Sequence, residues 1–558
     1  MKNHLKQSKK FLLGIALGVV IMLFVRAKEA DPFFEISKNL EVFTTLFKEL
    51  NTYYVDPIEP GKMMKTGIDA MLNDLDPYTN YITEEEIEDY RFQTTGKYGG
   101  IGSTMRMKDG MIVIDQPYEN SPVLKAGLKS GDIILEIEGK STKGKSVDDV
   151  SKFIKGSAGT PLKLKIKDAI TGLESSKTVV REEINISSVP YAGMIGENNE
   201  IAYVKLSQFT DRCASMVRSS FDSMKKANPT MKGVVLDLRS NPGGLLDEAV
   251  AMCNIFLNTN QHVLSTKGKA AEWDKEYKTL GTPWDTEIPV TVLINRGSAS
   301  ASEIVAGTMQ DLDRGVVIGQ RSFGKGLVQT TRSLAFNSKL KVTTAKYYTP
   351  SGRCIQALDY SHRNEDGSVG EIPDSIKTTY KTKNGRSVKD GGGVEPDVKM
   401  EVKSDLKIAT TLLNKAYAFD YANLYVSKHP TIDSAANFSL TENDYADFLK
   451  WIEGKDVAYQ TEAEKLLSEF KKIAEKENYF KGVEKDYEAL KKSLSSDKKQ
   501  DLVKNKKEIM RLLQDEIVTR YYFIKGRIQN QLKSDEEIAE AIRLINNSSK
   551  YASILGSK

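Results

Sequence analysis

Between Ile201 and Ile318 the chain alternates short, almost wholly apolar runs with helix-like stretches, and this alternation is what most constrains the fold. Ile201–Leu206, Gly233–Leu238, Val290–Ile294 and Val316–Ile318 read as strands. Asp211–Lys226, Leu245–Phe256 and Ser300–Leu312 read as helices between or after them. A strand that is apolar at consecutive positions must bury both faces. Helices on both sides of a parallel sheet provide that burial, so the pattern predicts an α/β layer with parallel pairing.

The flanking regions have different textures. From Phe33 to Tyr90 apolar residues recur at helical spacing, as in Phe43, Leu46, Phe47 and Leu50, until Leu75-Asp76-Pro77-Tyr78 breaks the pattern as a turn. From Thr94 to about Glu183 short β-type runs lie between glycines: Met111–Ile114, Asp132–Ile137 and Leu162–Ile166, with one helix at Val147–Ile154. Beyond about Val402 strands stop, and Lys, Glu, Leu and Ala dominate up to Ile554. Glu462–Glu477 and Lys504–Tyr522 read as amphipathic helices of a bundle; one exposed coiled-coil arm is the alternative, but heptads are not sustained. The expected segments are 1–30, a signal or anchor; 31–93, helical; 94–183, mainly β; 184–402, α/β; and 403–558, an all-α extension.

Composition removes several function classes. At 558 residues the chain is too long for one small domain. Its 80 Lys+Arg against 76 Asp+Glu leave a net charge of +4, which offers no global electrostatic footprint for nucleic acid. His4, His262, His362, His429, Cys213, Cys253 and Cys354 never fall at metal-ligand spacing, so neither a metal nor another cofactor is expected. An odd cysteine count excludes a fully paired disulfide framework. Lys2, Lys6, Lys9 and Lys10 precede an uncharged run, Phe11–Val25, stopped by Arg26. That order reads as an uncleaved membrane anchor, a cleaved signal or a buried core helix, and Val25-Arg26-Ala27 is a poor cleavage site. Either of the first two exports the rest of the chain. The expected location is the cell envelope, periplasmic or otherwise extracytoplasmic, with the N-terminal segment in the inner membrane.

Four segments carry chemistry. Asn295–Glu303 (NRGSASASE) lies where an apolar strand gives way to a helix, so a hydroxyl there sits beside the free N–H groups of a helix start. It also reads as a plain serine N-cap. Gly319–Gly326 (GQRSFGKG) sets Lys325 in a glycine turn, 25 residues after Ser300. A serine nucleophile needs a base, no histidine is near, and a Ser–Lys pair is the known alternative if the lysine is kept neutral by burial. A surface lysine or a phosphate cradle remains open, although the spacing of a P-loop is absent. Asp237–Gly244 (DLRSNPGG) either turns backbone N–H groups of Gly243 and Gly244 toward an acyl oxygen or is an ordinary turn. Tyr98–Gly102 (YGGIG) alone is more often a plain turn, but with Ser121-Pro122, Ala126–Leu128 and Gly131–Ile134 downstream it reads as a glycine loop that can bind a terminal carboxylate beside a strand edge.

Together these strings, with Leu75–Pro77, Phe323–Gln329, Tyr347–Arg353 and Gly393–Asp397, resemble the carboxy-terminal processing, or tail-specific, proteases over about Phe33–Met400. The resemblance implies an α/β protease core of the Clp protease and crotonase superfamily, an inserted mainly-β PDZ domain and, here, an all-α C-terminal extension. It implies a serine endopeptidase working through an acyl-enzyme, with Ser300 as nucleophile, Lys325 as general base and Gln329 orienting the lysine. Gly243 or Gly244 and Ala301 would supply oxyanion N–H groups, and Gly100, Ile101 and Gly102 would hold the tail of a polypeptide substrate. Lys167 stands near where many relatives carry an arginine joining the PDZ and protease domains. The extension is open to three uses: bracing a dimer, binding a lipoprotein adaptor, or fencing the active site. A catalytically silent PDZ scaffold at the envelope is the alternative function, and a crotonase-like acyl-CoA enzyme a third. The intact Ser300, Lys325 and Gln329 argue for the protease.

Overall fold

The computed structural model describes residues 32–364, 366–401, 406–494 and 498–556. The N-terminal run read as an anchor lies outside the described residues. Among the described residues no helix is long and apolar enough to cross a membrane. The chain divides into two compact units, Met1–Tyr81 and Ile82–Lys558. The first unit holds helices α1 (Pro32–Tyr53) and α2 (Pro60–Asn73). Phe33, Leu40, Phe43 and Leu46 of α1 are exposed. Asp76 closes the turn after α2, accepting the Tyr78 and Thr79 N–H groups at 2.8 Å each.

The second unit opens with a short helix, Ile87–Thr95, and an inserted β domain follows. It comprises β1 (Lys97–Gly100), β2 (Ser103–Lys108), β3 (Met111–Pro117), β4 (Ile133–Ile137), helix α3 (Val147–Ile154), β5 (Pro161–Lys167), β6 (Glu174–Val180) and β7 (Glu182–Asn185). The order β2-β3-β4-β5-β6 is antiparallel and leaves β2 as an edge. Strands and helix close over Ile112, Ile114, Ile134, Val150, Leu162 and Leu164. In β5 alternate positions are buried, as one-faced antiparallel strands require, whereas β3 buries Ile112, Val113 and Ile114 in succession. Lys167 pairs within this sheet opposite Glu174. The arginine that ties the domain's closing strand to α3 is Arg181, whose Nε and Nη2 donate to Ile154 O and Phe153 O at 2.8 Å.

The α/β layer follows the predicted alternation. It runs β8 (Tyr191–Ile195), β9 (Ile201–Lys205), α4 (Cys213–Ala227), β10 (Gly233–Asp237), α5 (Leu246–Phe256), β11 (His262–Gly268), β12 (Lys275–Lys278), β13 (Val290–Ile294), α6 (Ala301–Asp311) and β14 (Val316–Gly319). β15 (Leu327–Ser333), β16 (Lys339–Tyr348) and β17 (Val398–Lys399) complete it. The main sheet has the order β8-β9-β10-β13-β14-β17, antiparallel at β8-β9 and parallel after that. Strands β11, β12, β15 and β16 pair antiparallel in a second sheet, which the sequence did not announce.

Alternation along each strand sorts the two faces of the main sheet. Ala202, Val204, Val234, Leu236, Val292, Ile294 and Val317 face a core shared with α4, α5 and α6. Tyr203, Val235, Leu293, Val316 and Ile318 face the opposite side. That side is covered by the end of the chain, α14 (Glu536–Ile545) and α15 (Ser548–Ile554), through Ile538, Ala541, Leu544, Ile545 and Tyr551. Tyr551 also accepts from Val290 N and donates to Val290 O.

Between β17 and α14 come α7 (Lys407–Asn414), α8 (Tyr417–Lys428), α9 (Glu442–Ile452), α10 (Glu462–Lys476), α11 (Phe480–Leu494), α12 (Lys498–Lys504) and α13 (Lys506–Gln531). Helices α7 to α9, α12 and α13 share an apolar core that includes Leu412, Tyr421, Phe448, Leu502, Leu513 and Ile517, so Lys504–Tyr522 belongs to a bundle, whereas α10 contributes no residue to that core and packs on α11. Helix α8 also meets the β domain: Ala416 and Phe419 pack on Val113 and Ile133, and Lys108 pairs with Asp420 at 2.7 Å.

Candidate active site

Ser300 stands at the turn between β13 and α6 with φ 54° and ψ −112°, a conformation that L-residues rarely adopt. Holding it there costs about 1–3 kcal/mol and turns the residue out of the strand at the start of a helix. Its neighbours use their hydroxyls for structure. Ser298 Oγ donates to Leu238 O at 2.8 Å, and Ser302 Oγ to Asn241 O at 2.9 Å; both residues are fully buried. Ser300 itself is only half-buried.

The residue that organises the loops is Glu303, in the first turn of α6 and fully buried. Its Oε2 accepts the Ser300 N–H and the Lys325 N–H, both at 2.8 Å. Its Oε1 accepts Ser322 Oγ at 2.5 Å and the Gly324 N–H at 2.6 Å. Burial pushes the Glu303 carboxyl up, against the pull of these four donors. Phe323 N adds a bond to Ser298 O at 3.0 Å. The turn bearing Ser300 and the loop bearing Lys325 are therefore joined backbone to backbone. Sequence reading assigned Glu303 no role. The available signal was a carboxylate three places after a serine at a helix start, the spacing of a capping pair.

The Asn241–Gly244 turn lies against the same site. Ala299 N donates to Asn241 O at 3.0 Å, and Asn241 Nδ2 donates to Leu206 O at 2.9 Å. Gly243 has φ 100°, and a Cβ built on it would stand 2.9 Å from both Ala301 N and Ser300 Cβ. Only glycine leaves the Ala301 amide open. That N–H is the first of α6 and has no acceptor among the described residues, as expected at a helix start. The Gly243 N–H is already engaged by Asn241 Oδ1 at 2.9 Å. The Gly244 N–H has no acceptor among the described residues.

Gln329 lies in β15, opposite Thr343, and its Nε2 donates to Thr343 Oγ1 at 3.1 Å. Tyr347 underlies the Ser300 turn; it is buried, and its hydroxyl lies 3.4 Å from Ser300 O.

In the β domain Gly100 ends β1, opposite Glu182 of β7. Ile101 O and Gly102 O accept Val123 N and Tyr118 N at 3.0 and 2.9 Å, and neither Ile101 N nor Gly102 N has an acceptor among the described residues. These open N–H groups precede the edge strand β2, an arrangement suited to a terminal carboxylate and strand addition.

Comparison with known proteins finds the family model "Peptidase family S41" matched over residues 200–361, a range that contains Ser300, Lys325 and Gln329. A PDZ domain model matches residues 113–168, and the model "Probable PDZ-protease, C-terminal helical domain" matches residues 408–545. The chain is 36% identical over 350 residues to a carboxy-terminal-processing protease of Bartonella bacilliformis, covering 62% of this chain and 80% of the relative. It is 32% identical over 420 residues to a CtpA-like serine protease of Staphylococcus haemolyticus, covering 75% of this chain and 76% of the relative. Among solved structures it is similar to a photosystem II D1 C-terminal processing protease, at 25% identity and a TM-score of 0.34, covering 64% of this chain and 92% of that one.

Proposed function

The chain belongs to the carboxy-terminal-processing proteases, serine peptidases that carry a PDZ domain, and on that premise we propose that it cleaves polypeptides near their C-termini with a Ser300–Lys325 dyad. Ser300 Oγ attacks the scissile carbonyl while the uncharged Lys325 amine takes its proton. The developing oxyanion is met by the Ala301 N–H and by the Gly243–Gly244 turn, with Gly243 contributing once it leaves Asn241 Oδ1. The protonated amine then gives its proton to the departing amine, an acyl-enzyme remains, and water releases it by the same route. Gln329 orients the lysine. Gly100, Ile101 and Gly102 receive the substrate's terminal carboxylate while its last residues add to β2. No metal or cofactor enters this reading.

The observation that carries the proposal is the single Glu303 oxygen shared by the Ser300 and Lys325 amides. It ties the backbone of a serine at a strained helix start to the backbone of the loop that carries Lys325, which supports the reading. The reading extends to the whole chain. Residues 94–183 act as the PDZ domain, 184–402 as the protease core, and 403–558 as the helical extension, with an exported chain held at the envelope by residues 1–30.

The test is cleavage of a peptide with an apolar C-terminus, followed by mass spectrometry of the enzyme. Native protein is expected to accumulate an adduct on Ser300. Ser300→Ala and Lys325→Arg are expected to lose turnover while binding the tail, because arginine stays protonated and cannot act as base. Turnover that persists in Ser300→Ala removes the nucleophile. A native chain that binds tails but never cleaves them leaves the silent scaffold.

A further inference from the structure

We propose that helix α14 of the C-terminal extension is part of the catalytic scaffold, and that Asp535 and Glu537 are positioning residues that fix the 239–244 turn through Arg239. The proposal rests on the assignment of that turn to the oxyanion site.

Arg239 stands two residues beyond the end of β10 and is largely buried, its side chain 15% exposed. Its Nε and Nη2 donate to Asp237 at 3.0 and 2.7 Å. Its Nη1 reaches across to the extension, 2.6 Å from Glu537 Oε2 and 2.8 Å from Asp535 Oδ2. A guanidinium is a planar fork, so carboxylates on both of its edges fix its orientation as well as its charge. The backbone it orients is under constraint. Ser240 has a positive φ of 59° and is drawn to Asn295 Oδ1 at 2.8 Å, and Asn241 and Gly243 follow within the same turn.

Glu537 also borders the lysine loop. A Cβ built on Gly319, the last residue of β14, would lie 3.4 Å from Glu537 Oε1. Behind it, Ile538, Ala541 and Leu544 of α14 join the apolar cluster of Val235, Leu293 and Ile318, from β10, β13 and β14. These are the three strands whose C-terminal ends carry the 239–244 turn, the Ser300 turn and the Lys325 loop. The end of the chain thus underlies all three loops at once.

Asp535 caps α14 through Oδ1, but its Oδ2 and the Glu537 carboxylate are turned on Arg239 instead. The apolar cluster already holds α14, and Asp237, which Lys205 also approaches at 3.3 Å, already engages the Nε and Nη2 edge of Arg239. Burying two further carboxylates has a desolvation cost that tight helix docking does not require. What they add is a fixed direction for Arg239.

The experiment uses the full chain with Glu537→Gln and the double variant Asp535→Asn/Glu537→Gln. Asparagine at 535 keeps the helix cap that Asp535 provides to Glu537 N and Ile538 N. Glu536→Gln, an exposed acid in the same turn, is the control. Each is assayed with a tailed peptide substrate and with a peptide aldehyde, which bonds its carbonyl carbon to Ser300 Oγ and leaves its oxygen in the oxyanion site. The double variant is expected to lose about tenfold in kcat with KM within about twofold. Its aldehyde inhibition constant should rise by the same factor, because the loss falls on the transition state alone. The Glu536→Gln control should match the native protein. A double variant with native kcat overturns the proposal, as does one whose KM rises together with a lowered unfolding temperature. Ser300→Ala run in parallel separates the levels of failure. Turnover surviving there refutes the active-site reading itself, whereas an inert Ser300→Ala beside a fully active double variant refutes only the role of α14.

Discussion

Ser300 and Lys325 donate their backbone N–H groups to the same oxygen of the Glu303 carboxylate, each at 2.8 Å. Two loops that leave different strands are thus referenced to one buried atom. Glu303→Gln tests this. An amide turned either way sets an NH2 group against two donors, leaving them unpaired at about 1–3 kcal/mol each. Turnover should fall on the order of 10²-fold, the usual result when reacting groups move apart by a fraction of their contact distance. Tail binding measured by fluorescence anisotropy should persist. A fully active Glu303→Gln enzyme would show that the shared oxygen is irrelevant to catalysis.

Gly243 makes a sharper case, because its substitution adds one methyl group and no charge. A Cβ there meets Ala299 O at 2.7 Å and Ala301 N at 2.9 Å, on a backbone whose φ of 100° already disfavours a side chain. Gly243→Ala should cover the open amide and lower kcat by about 10²–10³, the range for loss of an oxyanion donor, with little change in KM. Steady-state kinetics decides it; a change confined to KM would place residue 243 in substrate binding instead.

Asp237 predicts an acid limb in stability. Burial alone would raise its carboxyl, but Arg239 and Lys205 outweigh burial and hold it below the usual carboxylate range. With a depressed folded value, the unfolded chain takes up the proton first, near pH ~3.9. The stabilisation is therefore complete above about pH 5 and is lost as pH falls below ~3.9 toward the folded value. Asp237→Asn should cost about 3 kcal/mol at neutral pH, as removal of one partner from a buried pair does. The gap between native and variant should narrow in urea unfolding below about pH 4. A gap that is constant from pH 7 to 3 would contradict the ion-pair account.

Phe419 predicts how the PDZ domain is held. Its ring lies under two guanidiniums, Arg106 at 4.4 Å and Arg520 at 4.7 Å from its centroid, and it packs on Val113 and Ile133. Phe419→Ala should weaken that contact by about 3–5 kcal/mol. Amide hydrogen exchange in β2 and β3 should then quicken while the α/β strands stay protected. Unchanged exchange in those two strands would mean that the domain is held elsewhere.

Much of the fold was legible in the sequence because burial leaves a periodic trace. Val290–Ile294 could be read as a strand to the residue, since a strand buried at every position is apolar at consecutive positions, broken here only by Thr291. The helix Val147–Ile154 was equally clear, with a Ser146–Asp149 capping box at its start. The second sheet was not. Strands β15 and β16 mix Thr, Lys and Gln at half-buried positions, and the signal that distinguishes strand from loop is weak there. Ser300, Lys325 and the Gly243–Gly244 turn could be singled out in the sequence as residue types. The Glu303 carboxylate shared by the Ser300 and Lys325 amides could not, because a carboxylate in a first helical turn looks the same whether it faces water or four buried donors.

The sequence by itself determined which stretches must be buried and which must turn, because apolar periodicity and glycine at positive φ are local properties of the chain. Tertiary structure alone decided what those stretches meet. That α14, more than 200 residues beyond Ser300, closes the second face of the sheet and sets two carboxylates on Arg239 is written in no local pattern. An amphipathic helix encodes that one face will be covered, and only the folded chain chooses the surface that covers it.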